Sequence, residues 1–373
     1  MRFLDRSSNK RGDFLFFGIL IFIIGGNIIW TFSTGGYKDF GSFYASGIAI
    51  AEGGNPYDAD FPLVNVVRIP GLDIEVKNPN LNPPITLLVF DVIANLDINF
   101  AYRLWQIITI LLYILAVGLL ILIFQRNHSL IFFAWIFCLA GFWHTVELGQ
   151  IYTLLLLLSV ISWGLLLAKK YYLAGLFIGI IIAVKPNFVI WPLLMIFAGG
   201  WSVALTSILS AGLLSIIPLL HYGAGIYSQW LNATLNYSGL MMPSNNSIIG
   251  LFARLGLTEI GYIISIFLLI FLVFLIRIKK ISVWKTSELG VIATLLASPI
   301  TWTGYTIMVL PILFHLKRNR YHRIAGIILS VPIALVLILS ITSKISYVII
   351  GGFYMWALLL ILGTIISEMS EDT

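Results

Sequence analysis

Residues 101–124 read AYRLWQIITILLYILAVGLLILIF, an apolar run without a proline or a helix-capping signal inside it. At about 1.5 Å per residue a helix of this length measures about 36 Å, enough to cross the ~30 Å hydrocarbon core of a bilayer. A similar run, Phe14 to Trp30, follows a basic start at Arg2, Arg6, Lys10 and Arg11. It has no small-residue cleavage site and many apolar runs come after it, so it reads as a retained anchor. Of 373 residues 60% are apolar and 10% charged, with a mean hydropathy of +1.00, where a soluble domain carries roughly 25% charged residues. Only residues 31–100 leave room for a soluble core, so the chain reads as one membrane domain over 1–373. The single cysteine, Cys138, has no partner for an internal disulfide.

The net charge of +6 is arranged for a membrane and not for nucleic acid. Of 22 Lys and Arg, 15 fall in five clusters between apolar runs: the N-terminus, Arg126, Lys169 with Lys170, Arg277 to Lys285, and Lys317 to Arg323. If all five are cytoplasmic, the number of crossings between any two is even. Between the N-terminus and Arg126 the two long runs suffice. The apolar stretch Pro83 to Leu96 is therefore expected to stay on the outer face as a juxtamembrane helix, with Asn82 as its cap and Asp91 and Asn95 interrupting it. The same parity predicts twelve spans, near 14–32, 101–124, 130–146, 151–168, 171–184, 187–200, 202–220, 258–276, 286–298, 302–315, 323–342 and 346–366. The expected fold is thus an all-α polytopic membrane protein with about 12 transmembrane helices. Cytoplasmic tails are expected at 1–13 and 367–373, and both termini inside. The spans around Lys185-Pro186-Asn187 and around Ser298-Pro299-Ile300-Thr301-Trp302 are unusually short. Irregular backbone at membrane depth is tolerated beside a water-filled cavity, so both turns are expected to line one that opens outward; local bilayer thinning is the other reading.

Chemistry is expected in the two outer loops, 33–100 and 221–257. The first is acidic, with eight acids against three bases in residues 31–100. After Asp39, Phe40, Phe43, Tyr44, Gly47, Ile48 and Ala51 recur at helical spacing until Gly53-Gly54, which predicts an amphipathic helix lying on the membrane. Asp39 at its start reads either as a helix N-cap or as a catalytic base. Asp58-Ala59-Asp60 has the spacing of a metal-diphosphate site but reads better as plain loop. His144, Glu147 and Gln150, three residues apart, share one face that looks into the bundle and read as polar packing. Gly175 and Gly179 form a small-xxx-small pair suited to helix packing. Lys185, an ammonium at the turn of a short hairpin, faces either a lipid phosphate or, by snorkelling, water.

In this order the motifs resemble glycosyltransferase family 87 of the C-type superfamily, which includes polyprenol-phosphate-mannose-dependent mannosyltransferases. The resemblance is carried by Asp39-Phe40 with Tyr44-Ala45, Gly54-Asn55-Pro56-Tyr57, Asn82-Pro83-Pro84 and Gly149-Gln150. It continues through Ala174-Gly175 to Lys185-Pro186, Asn246-Ser247 with Gly250 and Arg254, and Ser298 to Trp302. It departs from the family at Asn82, where an aromatic residue is usual, and at Thr303-Gly304-Tyr305, where a histidine is usual. The resemblance implies the C-type glycosyltransferase fold, a catalytic acid in the first outer loop at the position of Asp39, and a polyprenyl-phosphate-sugar donor, the sugar being a hexose such as mannose. It also implies a lipid-linked or glycan acceptor reached from outside a plasma (inner) membrane. Tyr44, Asn82, Glu147, Gln150, Asn246, Trp302 and Tyr305 are the expected cavity residues, and Lys185 and Arg254 the expected phosphate contacts. A sugar already on phosphate has a good leaving group, so one carboxylate suffices, with no metal and no cofactor, and a single displacement inverts the anomeric centre. A lipid or solute transporter or flippase remains the rival reading, although no internal repeat supports it.

Overall fold

Apolar length decides which segments become long helices. The computed structural model describes residues 10–33, 36–69, 74–125, 129–316 and 319–371. The expected tails at 1–9 and 372–373, and the basic residues Arg126, Lys317 and Arg318, lie outside the described residues. Among the latter, five helical stretches are long and apolar enough to cross a bilayer: Phe14–Ala51, Ile98–Phe124, Trp201–Tyr222, Thr258–Ile278 and Lys344–Met369. In the first, the poorly buried apolar part is α1 (Lys10–Ser33), and the mostly buried α2 (Lys38–Ala51) lies beyond it. After it come a β-hairpin, β1 (Asn65–Ile69) and β2 (Ile74–Asn78), a short helix α3 (Leu87–Ile93), and α4 (Ile98–Phe124). Further on, α5 (Leu130–Ile136) and α6 (Ala140–Leu148) form a bent pair at 41°. α7 (Tyr152–Leu167), α8 (Tyr171–Val184) and α9 (Ile190–Ile196) are short, whereas α10 (Trp201–Tyr222) is long. The loop expected at 221–257 holds α11 (Gly225–Leu235) and α12 (Ile248–Arg254). The remainder is α13 (Thr258–Ile278), α14 (Val283–Ala297), α15 (Leu310–His315), α16 (Arg320–Leu329), α17 (Ile333–Ser340), α18 (Lys344–Ile350) and α19 (Phe353–Glu371).

The chain is therefore a multi-pass membrane protein, but twelve full-length spans are not what helix length gives. Counting the bent pairs α5–α6 and α16–α17 brings five to seven. The other five expected spans are helices of at most 16 residues, about 24 Å, over 151–168, 171–184 and 286–298, or shorter helices begun by a 3-10 turn at Pro186–Val189 or Thr303–Val309. The expected span 323–342 bends by 83° ahead of Pro332, which lacks an N–H and disfavours helix in the residue before it. The stretch after Pro83 is a helical segment of ten residues, Pro84–Ile93, too short to cross.

Lipid is the solvent of the outer faces. α13 alone turns Ile263, Ile266, Phe267, Ile270, Phe271 and Phe274 outward, an apolar patch that a water-soluble monomer rarely carries. The centre is α14, where every residue from Thr286 to Ala297 is buried, packed against Trp163 of α7 and Trp191 of α9 through neighbouring positions. A Cβ on Gly290 would meet Trp191, so only glycine lets α9 approach there. Gly175 and Gly179 face α10 at Val203, Ser207 and Ser210, the helix-packing role expected of them.

The hairpin departs from a wholly helical reading. Its strands are rich in β-branched residues, and its register sets Asn65 opposite Asn78 and Val67 opposite Val76. α2 departs as well. Ten of its 14 residues are buried, so it lies within the protein and not on the membrane surface. Phe40, Phe43 and Tyr44 of α2 pack with Phe90, Tyr102 and Trp105, rings 5.2–6.3 Å apart, and so fix the start of α2 against α3 and α4.

Candidate active site

Asp39 sits in the first turn of α2 and does not cap it. The N-cap is Tyr37, without a side-chain cap bond, and the Asp39 side chain turns instead toward three carboxamides. Its Oδ1 accepts hydrogen bonds from Asn65 Nδ2 and Asn78 Nδ2, both at 2.8 Å, and its Oδ2 accepts one from Gln150 Nε2 at 2.6 Å. The two asparagines are the cross-strand pair that begins β1 and ends β2, so their side chains leave the hairpin on one face. Ser42, one turn after Asp39, locks this arrangement: its Oγ donates to Asn78 O at 2.7 Å and accepts from Asn65 N at 2.9 Å. Gln150 is delivered from the other side by Gly149, which ends α6 at φ +67°, with Phe40 in contact with where a Cβ would be. A larger residue there would strain the backbone and push on α2.

The carboxylate is only 4% exposed and lines a cavity of about 460 Å³. Burial pushes the Asp39 carboxyl above its ordinary value, while the hydrogen bonds from Asn65, Gln150 and Asn78 and the nearby Lys185 ammonium pull it back down. One wall is polar: Lys38, Asn78, and His144 and Glu147 of α6. Another is apolar: Ile333, Leu337, Ile338 and Ile341 from and beside α17. Trp30, Tyr237 and Trp302 complete it. Lys38, beside Asp39, holds a left-handed backbone at φ +48°, uncommon for a residue other than glycine.

Of the residues expected at the site, Asp39, Glu147 and Trp302 line the cavity and Gln150 reaches it through Asp39. Lys185 lies close by but off the lining, its Nζ 5.3 and 5.4 Å over the rings of Tyr152 and Tyr305. The two short turns do meet: Asn187 Nδ2 donates to Ser298 Oγ at 3.0 Å. Tyr44, Asn82, Asn246 and Arg254 serve backbone elsewhere. Tyr44 donates to Leu96 O at 2.6 Å, and Asn82 O accepts from Tyr57. Asn246 joins Ser244 O at 2.6 Å to the N–H of Tyr354 at 3.1 Å. Arg254 donates to the carbonyls of Asn245, Met242 and Val348 at 3.0–3.3 Å, tying α12 to the α18 region. In the Asp58-Ala59-Asp60 loop, Asp58 accepts from Asp60 N and Asp60 pairs with Lys77, as plain loop requires.

Sequence reasoning missed Asn65, Asn78 and Lys38. The β-branched residues beside them, Val66-Val67 and Ile74 with Val76, are the available strand signal for the asparagines.

The family model of glycosyltransferase family 87 matches residues 80–311, more than half of the chain. The chain belongs to glycosyltransferase family 87. No curated protein and no solved structure matches it. This family 87 chain is accordingly a membrane glycosyltransferase. The matched region holds Glu147, Gln150, Lys185 and Trp302, while Asp39 and the hairpin precede it.

Proposed function

We propose that this enzyme moves a hexose, mannose being the sugar that the resemblance favours, from a polyprenyl-phosphate donor to an acceptor hydroxyl on the extracytoplasmic side, with Asp39 as general base. The observation that carries the reading is a buried carboxylate, Asp39, held on both oxygens by carboxamides, at the wall of a cavity that is polar on one side and apolar on the other. The apolar wall from α17 suits the first isoprenes of a lipid, and the volume is in the range of small-ligand sites. The acceptor oxygen attacks the anomeric carbon as its proton passes to Asp39; the bond from that carbon to the phosphate oxygen breaks, and the phosphate leaves with the electron pair. The anomeric centre inverts. The leaving phosphate needs positive charge in a low-dielectric site, supplied by Lys38 on the cavity wall and Lys185 near it. We assign Arg254, whose N–H groups hold three carbonyls, to the scaffold.

Charge supports the orientation. α7 starts beside Gln150 and ends at Lys169-Lys170, while α13 starts in the second outer loop and ends at Lys279-Lys280. Positive ends thus lie opposite the site, as expected if they face the cytoplasm of a plasma membrane. Purified protein given a radiolabelled polyprenyl-phosphate hexose should pass the label to a glycan acceptor. Donor that crosses a liposome bilayer unconsumed would instead make the chain a flippase.

A further inference from the structure

A second and more polar cavity, about 580 Å³, opens on the opposite face of β2. The strand alternates, so Asn78 turns to Asp39 and Val76 into an apolar cluster, while Glu75 and Lys77 line this second space. The facing wall is α11. Gln229, Asn232, Ala233 and Asn236 all line the cavity, at the i, i+3, i+4, i+7 spacing of one helical face. Three of the four are carboxamides, and Asn55 adds a fourth from across the cleft. Tyr237 lines both cavities, at the boundary between them.

The lining chemistry selects a ligand class. A carboxamide offers two donors and an acceptor in one plane and matches adjacent sugar hydroxyls without demanding charge. The charged lining residues do not favour an anion: Lys77 is paired with Asp60, and Asp58 and Glu75 are acids. Nor does an apolar wall like that of α17 face this space. We propose that this outer cleft is the acceptor site, and that it binds a neutral, water-exposed oligosaccharide whose terminal hydroxyl reaches past Tyr237 to Asp39. The proposal rests on the transferase reading above and adds the class of acceptor. The same glycan could arrive free or at the head of a lipid, and the two sources share this recognition.

Two measurements on the purified full-length protein test it. Binding of neutral hexose trisaccharides, without donor, is followed by saturation-transfer NMR; transfer is followed with the labelled donor and either a free trisaccharide or the same glycan on a lipid. The double variant Gln229→Ala/Asn232→Ala and the cleft-filling Asn232→Trp change partly or fully exposed positions of α11. Both should abolish the NMR signal and raise the acceptor KM roughly tenfold or more while the donor KM stays near wild type. Loss with both acceptor forms supports a site for the glycan whatever carries it; loss with the lipid-linked form alone supports the same site with a lipid-borne source. Acceptor KM and glycan binding unchanged in both variants would overturn the proposal. Glycan binding lost in the variants of a protein that transfers nothing would keep the cleft and sink the transferase mechanism instead.

Discussion

Asp39 is a buried acid with hydrogen-bond donors on both oxygens, and that combination sets its pH behaviour. Burial outweighs the three amides and Lys185, so the carboxyl sits above its ordinary value of 3.8. A base acts only when ionised, so the rate falls as pH drops through that raised value. The acid limb of kcat is therefore expected above pH 3.8, and a midpoint at or below it would mean that another group takes the proton. Lys38 carries the second prediction at this scale. It lines the cavity, whereas Lys185 sits over two tyrosine rings. Removing a desolvated contact to phosphate costs on the order of 2 kcal/mol, over tenfold. Lys38→Ala should raise the donor KM by that much, and Lys185→Ala should lower kcat as well, through its effect on Asp39. Donor kinetics untouched in both variants would remove lysine from phosphate binding.

The hairpin is the element that completes the site, and the sequence concealed it. Asp39, the helix after it and the polar face of α6 were legible, because helical periodicity and an acid just beyond a span are local signals. Asn65 and Asn78 were not, since their role depends on strand register across an acidic loop and on Ser42 joining both strands. Lys38 was hidden for a similar reason: its direction comes from a left-handed backbone that no composition announces. The short helices misled the span count because charge parity fixes sidedness but not helix length. Asn65→Ala and Asn78→Ala each remove one donor from a buried carboxylate, a loss of about 1–3 kcal/mol, and free Asp39 to rotate. Each should cut kcat roughly tenfold at an acceptor KM near wild type. Asn65→Asp/Asn78→Asp should be far worse, by like-charge crowding. A single variant as active as wild type would show that Asp39 needs no cradle.

At the scale of the molecule, the proposed reaction requires donor and acceptor to meet on one face, the face opposite the basic helix ends. In intact cells, after replacement of Cys138, a cysteine at Glu52 should react with an impermeant thiol reagent and one at Lys170 should not, both positions being exposed. Labelling of the second alone would invert the protein and put its chemistry in the cytoplasm. The fold has a buried α14 at its core and two irregular turns that meet at Asn187 and Ser298. The central claim is that Asp39 takes the acceptor proton. Asp39→Asn keeps the size and most hydrogen bonds of the side chain but cannot accept a proton, so the most direct measurement is label transfer from a polyprenyl-phosphate hexose by the purified variant, alongside its donor affinity. Transfer lower by ~10²-fold or more with donor binding retained is the predicted result. Transfer at the wild-type rate would contradict it and point to Glu147, the other carboxylate on the cavity wall.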